Sequence, residues 1–436
     1  MKFYEREKEL QQLKDIQEAA ASAAQMTVVT GRHRSGKTQL VLSATADVPT
    51  LYFFIARKAE SLLCHEFAVE VSRVLGLPDM SEVNDFRTLF KNLMAASKEQ
   101  KFNVIIDEFQ EFNTINANIF TDLQSLWDRN KDRSHICLFL LGSDTAQATR
   151  IFDGNHAPLA GRVTNVIHLE PYSSEVLKSI LAEHSPKYTP EDLLAFYTFT
   201  GGVPKYVESL VKAGALTADA MIDLVCSEGS PFLSEGKQLL IEDFGKEYTI
   251  YFSILTCIAN DITSRSYIEE YIQKEIGGYL TRLETDFHLI RKLTPLFSKS
   301  GSKNVRYTIV DNFLRFWFRF IYSHADLVER GMYDELRTIV KSDFESYSNL
   351  CLLNWHRLRF IESQEFSLIG GWWDHRGEND IDLVGLNEEA KHAVIAGIAR
   401  KSSDIDPHTL AQKAVVLHDA LEGYQVEYRA YGLDEL

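Results

Sequence analysis

The residues best equipped for chemistry are Gly31-Arg32-His33-Arg34-Ser35-Gly36-Lys37-Thr38. They satisfy G-x-x-x-x-G-K-[ST] at every fixed position, between the β-branched run Met26-Thr27-Val28-Val29-Thr30 and the apolar helical start Leu40-Val41-Leu42. Gly31 and Gly36 let the backbone curl so that successive N–H groups face phosphate oxygens, and the following helix adds the positive end of its dipole. Lys37 would reach the β- and γ-phosphates of ATP, and the Thr38 hydroxyl would hold Mg2+. Arg32, Arg34, Ser35 and Gln39 complete the expected nucleotide-binding set, and His33 reads as an ordinary variable position.

A second constellation closes the strand Val104-Ile105-Ile106-Asp107-Glu108. An aspartate at the end of an apolar strand can bind the water shell of Mg2+, and the neighbouring glutamate can polarise the attacking water. Asp107 and Glu108 occupy those positions. A third apolar run, Ile136 to Leu141, ends in Gly142-Ser143, and Ser143 is the candidate sensor of the γ-phosphate.

These residues need a parallel sheet to hold them. Besides the strands above, Thr50-Leu51-Tyr52-Phe53-Phe54-Ile55 reads as a buried parallel strand and Val163 to Leu169 as a fifth strand. Helical patterns fall at Leu10, Leu13 and Ile16, at Ala59 to Leu75 closed by Gly76 and Pro78, and at Asp85 to Ala96. Strands alternating with helices predict an α/β three-layer sandwich.

Composition bounds the rest. A chain of 436 residues with 45% apolar and 25% charged content has room for two or three ordinary globular domains. No run reaches the length of a membrane span and the first residues lack the apolar core of a signal peptide, so the expected location is cytoplasmic, with no membrane partner. Five scattered cysteines without a C-x-x-C pair predict reduced thiols. The net charge of −16 argues against a nucleic-acid coat protein while leaving room for a local basic patch.

The opening F-x-x-R-E-x-E-L, the phosphate loop, the D-E strand end, the G-S after the fourth strand, Pro158-Leu159 with Gly161-Arg162, and Gly201-Gly202-Val203-Pro204 together resemble the archaeal-type ATPases. These are a branch of the AAA+/STAND P-loop NTPases. The resemblance implies a helical lid after the core, places Arg6 to Leu10 near the adenine side, and brings Arg162 towards the γ-phosphate.

Downstream, helices around Tyr251 to Ala259, Ser266 to Tyr271 and Gly278 to Leu289 precede strands at Leu296 to Ser298 and Arg306 to Ile309. This is the order of a winged helix. Nine basic residues against seven acidic ones between Lys246 and Ile309 fit a packing or protein-binding module as well as a DNA reader. The aromatic stretch Asp311 to Ile321, with Arg315 and Arg319, is either a core face or a base-stacking platform, and its D-x-F-x-x-F-W-F-R-F resembles the start of the domain of unknown function that usually ends these ATPases. The last hundred residues resemble a restriction-endonuclease-like, PD-(D/E)XK core. Glu345 and Asp382 match its helical and strand acids, but Gly397 and Ala399, or Ile398 and Arg400 one residue on, stand where E-x-K belongs. A degenerate nuclease fold without cleavage is expected.

The expected organisation is an ATPase core over 1–171, a lid over 172–243, a winged helix over 244–310 and a nuclease-like domain over 311–436. The expected activity is that of a Mg2+-dependent ATPase acting as a regulatory switch. The alternative is a DNA-associated ATPase of a mobile-element or defence system, with DNA or protein bound through the last two domains.

Overall fold

Five apolar runs pair in parallel; the three central ones bury both faces, which demands helices above and below, while the two edge runs bury alternate residues. A computed structural model describes residues 4–77, 82–143, 150–152, 157–299, 301–376 and 379–436. The chain divides into two compact units, Met1–Pro171 and Tyr172–Leu436.

In the first unit, helix α1 (Glu7–Ala19) leads into β1 (Gln25–Gly31), α2 (Lys37–Ala44), β2 (Thr50–Phe54), α3 (Glu60–Leu75) and α4 (Phe86–Ala96). Then come β3 (Phe102–Asp107), α5 (Phe112–Asn116), α6 (Asn118–Asn130), β4 (Ile136–Leu141) and β5 (Asn165–Leu169). The sheet order is β2-β3-β4-β1-β5 and every pairing is parallel. Every residue of β3 and β4 is buried. One face carries Leu13, Ile16, Leu40 and Val41 from α1 and α2; the other carries Phe67, Phe90, Leu123 and Trp127 from α3, α4 and α6. This is the expected α/β sandwich. Asp85 caps α4 by accepting the Thr88 N–H, and Gly76 in the left-handed region ends α3; Pro78, read as part of that stop, lies outside the described residues. Parallel strands deliver Gly31, Asp107 and Ser143 to one edge of the sheet, where the strand order changes direction.

In the second unit, α7 (Ser174–His184), α8 (Pro190–Thr200), α9 (Pro204–Ala213), α10 (Ala218–Val225) and α11 (Pro231–Phe244) precede α12 (Tyr248–Ala259), α13 (Arg265–Ile272) and α14 (Gly277–Thr285). A hairpin follows, β6 (Ile290–Leu293) against β7 (Arg306–Ile309). Its first strand therefore lies upstream of the expected Leu296 to Ser298. The third helix stops at Thr285, and Pro295 has no N–H for a ladder, while the Leu296 N–H is given to Gly371 O at 2.9 Å.

Helix α15 (Asn312–Phe316) runs on through a π-turn at Trp317–Ile321. Phe313, Phe316, Trp317, Phe318 and Phe320 are all buried. The aromatic stretch is core, which removes the base-stacking alternative. Arg315 is buried with it, its guanidinium 4.4 Å from the Tyr347 ring centre and 3.5 Å from Asp261. After α16 (Ala325–Glu329) comes the 31-residue α17 (Tyr333–Ser363), then β8 (Leu368–Trp373), β9 (Asp380–Asn387), β10 (His392–Ile398), α18 (Pro407–Ala414) and β11 (Gln425–Tyr431). The second sheet has the order β11-β10-β9-β8, antiparallel except for β10 with β11.

Candidate functional site

The loop after β1 owes its shape to two glycines. Gly31 has φ 149°, and a Cβ there would stand 2.6 Å from Leu169 O on β5. Gly36, with φ 86°, is the left-handed N-cap of α2. Between them Arg34 also takes a positive φ, 69°. The buried Lys37 ammonium bends back and donates to Gly31 O and Arg32 O, both at 2.9 Å. Ser35 Oγ is buried without a hydrogen-bond partner among the described residues. An orphaned hydroxyl, a left-handed turn at a helix N-terminus and an ammonium resting on carbonyls are what a phosphate group would satisfy.

Beside the loop, the buried Asp107 carboxylate is held by three donors. Thr38 Oγ1 donates to Oδ2 at 2.6 Å, the Tyr52 hydroxyl to the same oxygen at 2.8 Å, and the Glu108 N–H to Oδ1 at 3.0 Å. Tyr52 lies two residues before Phe54, the register partner of Asp107 on β2. Burial, with the Asp107 carboxylate second, pushes the Tyr52 phenol above its ordinary range, so it remains a donor. One hydroxyl and one carboxylate, rather than a cluster of acids, suit a hard cation that keeps much of its water and shares phosphate oxygens. Thr38 and Asp107 thus fit Mg2+.

Glu108 turns the chain into the left-handed region, φ 55° and ψ 43°. Its Oε2 accepts from Gln110 Nε2 and lies 3.5 Å from Ser143 Oγ. Burial raises its pKa, against the lowering effects of the Gln110 hydrogen bond and Lys37. Ser143, itself buried, has its hydroxyl 3.1 Å from Nε2 of His33. The phosphate loop, Ser143 and Glu108 therefore form one connected chain of contacts through His33. That corrects its reading as an ordinary variable position; the histidine reaches Ser143 because β4 lies next to β1.

The other expected residues divide. Arg6, buried at the N-terminus of α1, donates to Glu170 O at 2.6 Å and pairs with Glu9 at 3.0 Å, just past the β5 end that meets Gly31. Gln39 is exposed, its Nε2 3.4 Å from Ser43 Oγ. Arg162 is not brought to the loop. It precedes β5, and Thr164 bonds to Met26 at the start of β1, so Arg162 sits by the opposite edge of the sheet. There it forks onto Asp128 of α6 at 3.0 and 3.2 Å. A strand of five residues spans about 17 Å, which is why its expected approach to the γ-phosphate fails.

In the second sheet, Asp382 Oδ2 accepts the Ile398 N–H at 2.8 Å, and burial raises its pKa. Glu345 is exposed on α17. Arg400 donates to Glu345 O and Ser348 Oγ, each at 2.9 Å, and pairs with Glu191 at 3.3 Å. Among the described residues no group of three or more His, Cys, Asp or Glu could hold a metal. No helix there is long and apolar enough to cross a membrane.

Sequence reasoning missed Tyr52, Gln110 and the His33 contact. Tyr52 is one aromatic in an apolar run, and only the β2-β3 pairing sets its hydroxyl beside Asp107.

Residues 3–210 match a family described as an ATPase domain predominantly from Archaea, and residues 317–404 one of archaeal and bacterial proteins of unknown function. An uncharacterized protein of Methanocaldococcus jannaschii is 28% identical over 410 residues, covering 92% of this chain and 88% of that protein. A Walker-type ATPase of Pyrococcus abyssi matches at TM-score 0.52 and 17% identity, over 72% of this chain and 96% of that one. The ORC2 protein of Aeropyrum pernix matches at TM-score 0.48 and 15% identity, over 76% and 96%. At 17% identity the likeness to the Pyrococcus abyssi protein is one of fold.

Proposed function

We infer, for a chain whose residues 3–210 belong to the ATPase family found predominantly in Archaea, a Mg2+-dependent hydrolysis of ATP that serves as a regulatory switch. The observation that carries this is the convergence of Lys37, Thr38, Asp107, Glu108 and Ser143 at one sheet edge, with Thr38 bonded to Asp107 at 2.6 Å. Mg2+ would supply charge neutralisation on the phosphate oxygens. The protein's own residues do the rest. The loop N–H groups and Lys37 bind the β- and γ-phosphates, while Thr38 and Asp107 hold the cation. Arg32, Arg34, Ser35 and Gln39 line the nucleotide, and Arg6 fixes the wall on its adenine side. Glu108 takes a proton from the attacking water, and its raised pKa makes it a better acceptor than an ordinary carboxylate. Ser143 orients the terminal phosphate.

Hydrolysis would then set the state of the lid, winged-helix and nuclease-like modules of residues 172–436, which we take to bind the regulated partner. The test is nucleotide binding and phosphate release. Lys37→Ala should abolish binding, and Glu108→Gln should keep binding but lose turnover by about 100-fold or more. Normal affinity in the lysine variant would sink the assignment.

A further inference from the structure

The hydroxyl of Ser143 has one hydrogen and two neighbours that could take it. Its Oγ lies 3.5 Å from Oε2 of Glu108 and 3.1 Å from Nε2 of His33, with Nδ1 of the same ring at 3.5 Å. An ionised carboxylate donates nothing, whereas an imidazole can donate from a ring N–H. The arrangement that satisfies all three groups therefore runs one way: His33 donates to Ser143, and Ser143 donates to Glu108. The reverse direction, with the serine hydrogen on the ring, would set oxygen lone pairs against the carboxylate. The direction holds for a charged ring as well, because an imidazolium only adds a second donor.

The sheet explains how the three come together. Glu108, Ser143 and His33 follow β3, β4 and β1, which lie in that order, so Ser143 stands in the middle. Leu141 is level with Asp107 on one side and Val29 on the other, so the three chains leave the sheet at the same height. The turn before Ser143 is also held close to the turn that carries Glu108. A Cβ on Gly142 would stand 2.7 Å from both Gln110 Oε1 and the Phe109 ring. Gln110 donates to Glu108 Oε2, the same oxygen that faces Ser143.

We propose that His33 is a positioning residue that makes Ser143 a donor towards anions, and so sets the preference of the site for a nucleoside triphosphate over a diphosphate. This rests on the reading of the loop as an ATP site. A terminal phosphate beside Ser143 carries more charge than Glu108 and competes for the same hydrogen. The bond to Glu108, at 3.5 Å, is long and easily given up. Glu108 is then left to Gln110 and to the attacking water. A diphosphate presents no group at that position and leaves the serine hydrogen on Glu108.

The test measures, in the full chain, the Kd of a non-hydrolysable ATP analogue against that of ADP, and phosphate release from ATP. The variants are His33→Phe, His33→Gln, Ser143→Ala and the double variant His33→Phe with Ser143→Ala. His33 is exposed, so its replacement leaves the packed core intact. His33→Phe should keep its ADP affinity while losing about tenfold in preference for the ATP analogue and about tenfold in kcat, the effect of one hydrogen bond to a charged group. His33→Gln, which keeps an N–H near the reach of Nε2, should restore both. The double variant should match Ser143→Ala alone, because the histidine acts only through the serine. Equal losses in His33→Gln and His33→Phe, additive losses in the double variant, or an unchanged nucleotide preference in His33→Phe overturns the inference. A wild type that prefers the ATP analogue yet releases no phosphate fails the hydrolysis reading alone, and the binding preference still decides the role of His33.

Discussion

Asp107 accepts three hydrogen bonds, and one of them comes from a residue that neither motif names. The Tyr52 hydroxyl fixes the same oxygen that takes Thr38 Oγ1. A group that orients a metal-holding carboxylate is worth roughly 10- to 100-fold in metal affinity. Tyr52→Phe should therefore raise the Mg2+ concentration that half-maximally tightens ADP binding by at least about tenfold, with affinity in EDTA unchanged. Titrating a fluorescent ADP analogue with and without Mg2+ measures both, and an unchanged Mg2+ midpoint would remove Tyr52 from the site. At this scale the sequence was informative where spacing along the chain is the constraint, as from Gly31 to Thr38 and from Asp107 to Glu108. It was silent on Tyr52 and wrong on Arg162, because both depend on which strand lies beside which, and at which end.

At the scale of elements, α17 and β11 are pinned by one histidine. His356 is buried, with Nε2 3.1 Å from Gly432 O and its ring stacked on Tyr431 at 4.9 Å. Burial lowers its pKa from 6.5 to about 4, despite the Gly432 bond that favours the charged form. The unfolded chain therefore binds more protons between pH 4 and 6.5. Stability should rise with pH across that window, level off above it, and differ by up to about 3 kcal/mol end to end. Denaturant unfolding of the second unit at pH 4.5, 5.5 and 7 measures the slope, and His356→Phe should flatten it. An equal slope in the variant would assign the effect elsewhere. Element types were legible from periodicity: β4 spans the residues read from the sequence, and α3 and α4 differ by one at their starts. The misplaced β6 had no such signal, since Ile290-Arg291-Lys292-Leu293 is too short and too charged to read as a strand.

For the whole molecule, all five cysteines are free and buried, and they are distributed over both units. Burial pushes the thiols of Cys64, Cys137 and Cys226 up to about 12. A thiol-specific reagent at neutral pH should find none in the native protein and five in denaturant. Repeating the count with ADP and with a non-hydrolysable ATP analogue would reveal any unit that opens during the cycle; a thiol reactive in the resting protein would contradict the packing. The reduced thiols and the α/β class followed from composition and pattern. The chain divides after Pro171, and the residues read as a lid, a winged helix and a nuclease-like domain lie together in the compact unit Tyr172–Leu436.

Glu108 carries one more consequence. A residue with a Cβ held at φ 55° and ψ 43° is disfavoured by about 1 kcal/mol relative to glycine. Chosen for durability alone, position 108 would be glycine. Glu108→Gly should accordingly melt higher than the wild type while failing to release phosphate, so that resistance to heat and turnover pull this one position in opposite directions. Calorimetry beside a phosphate-release assay would show it, and a variant that melts lower would mean that the contacts to Gln110 and Ser143 outweigh the backbone strain.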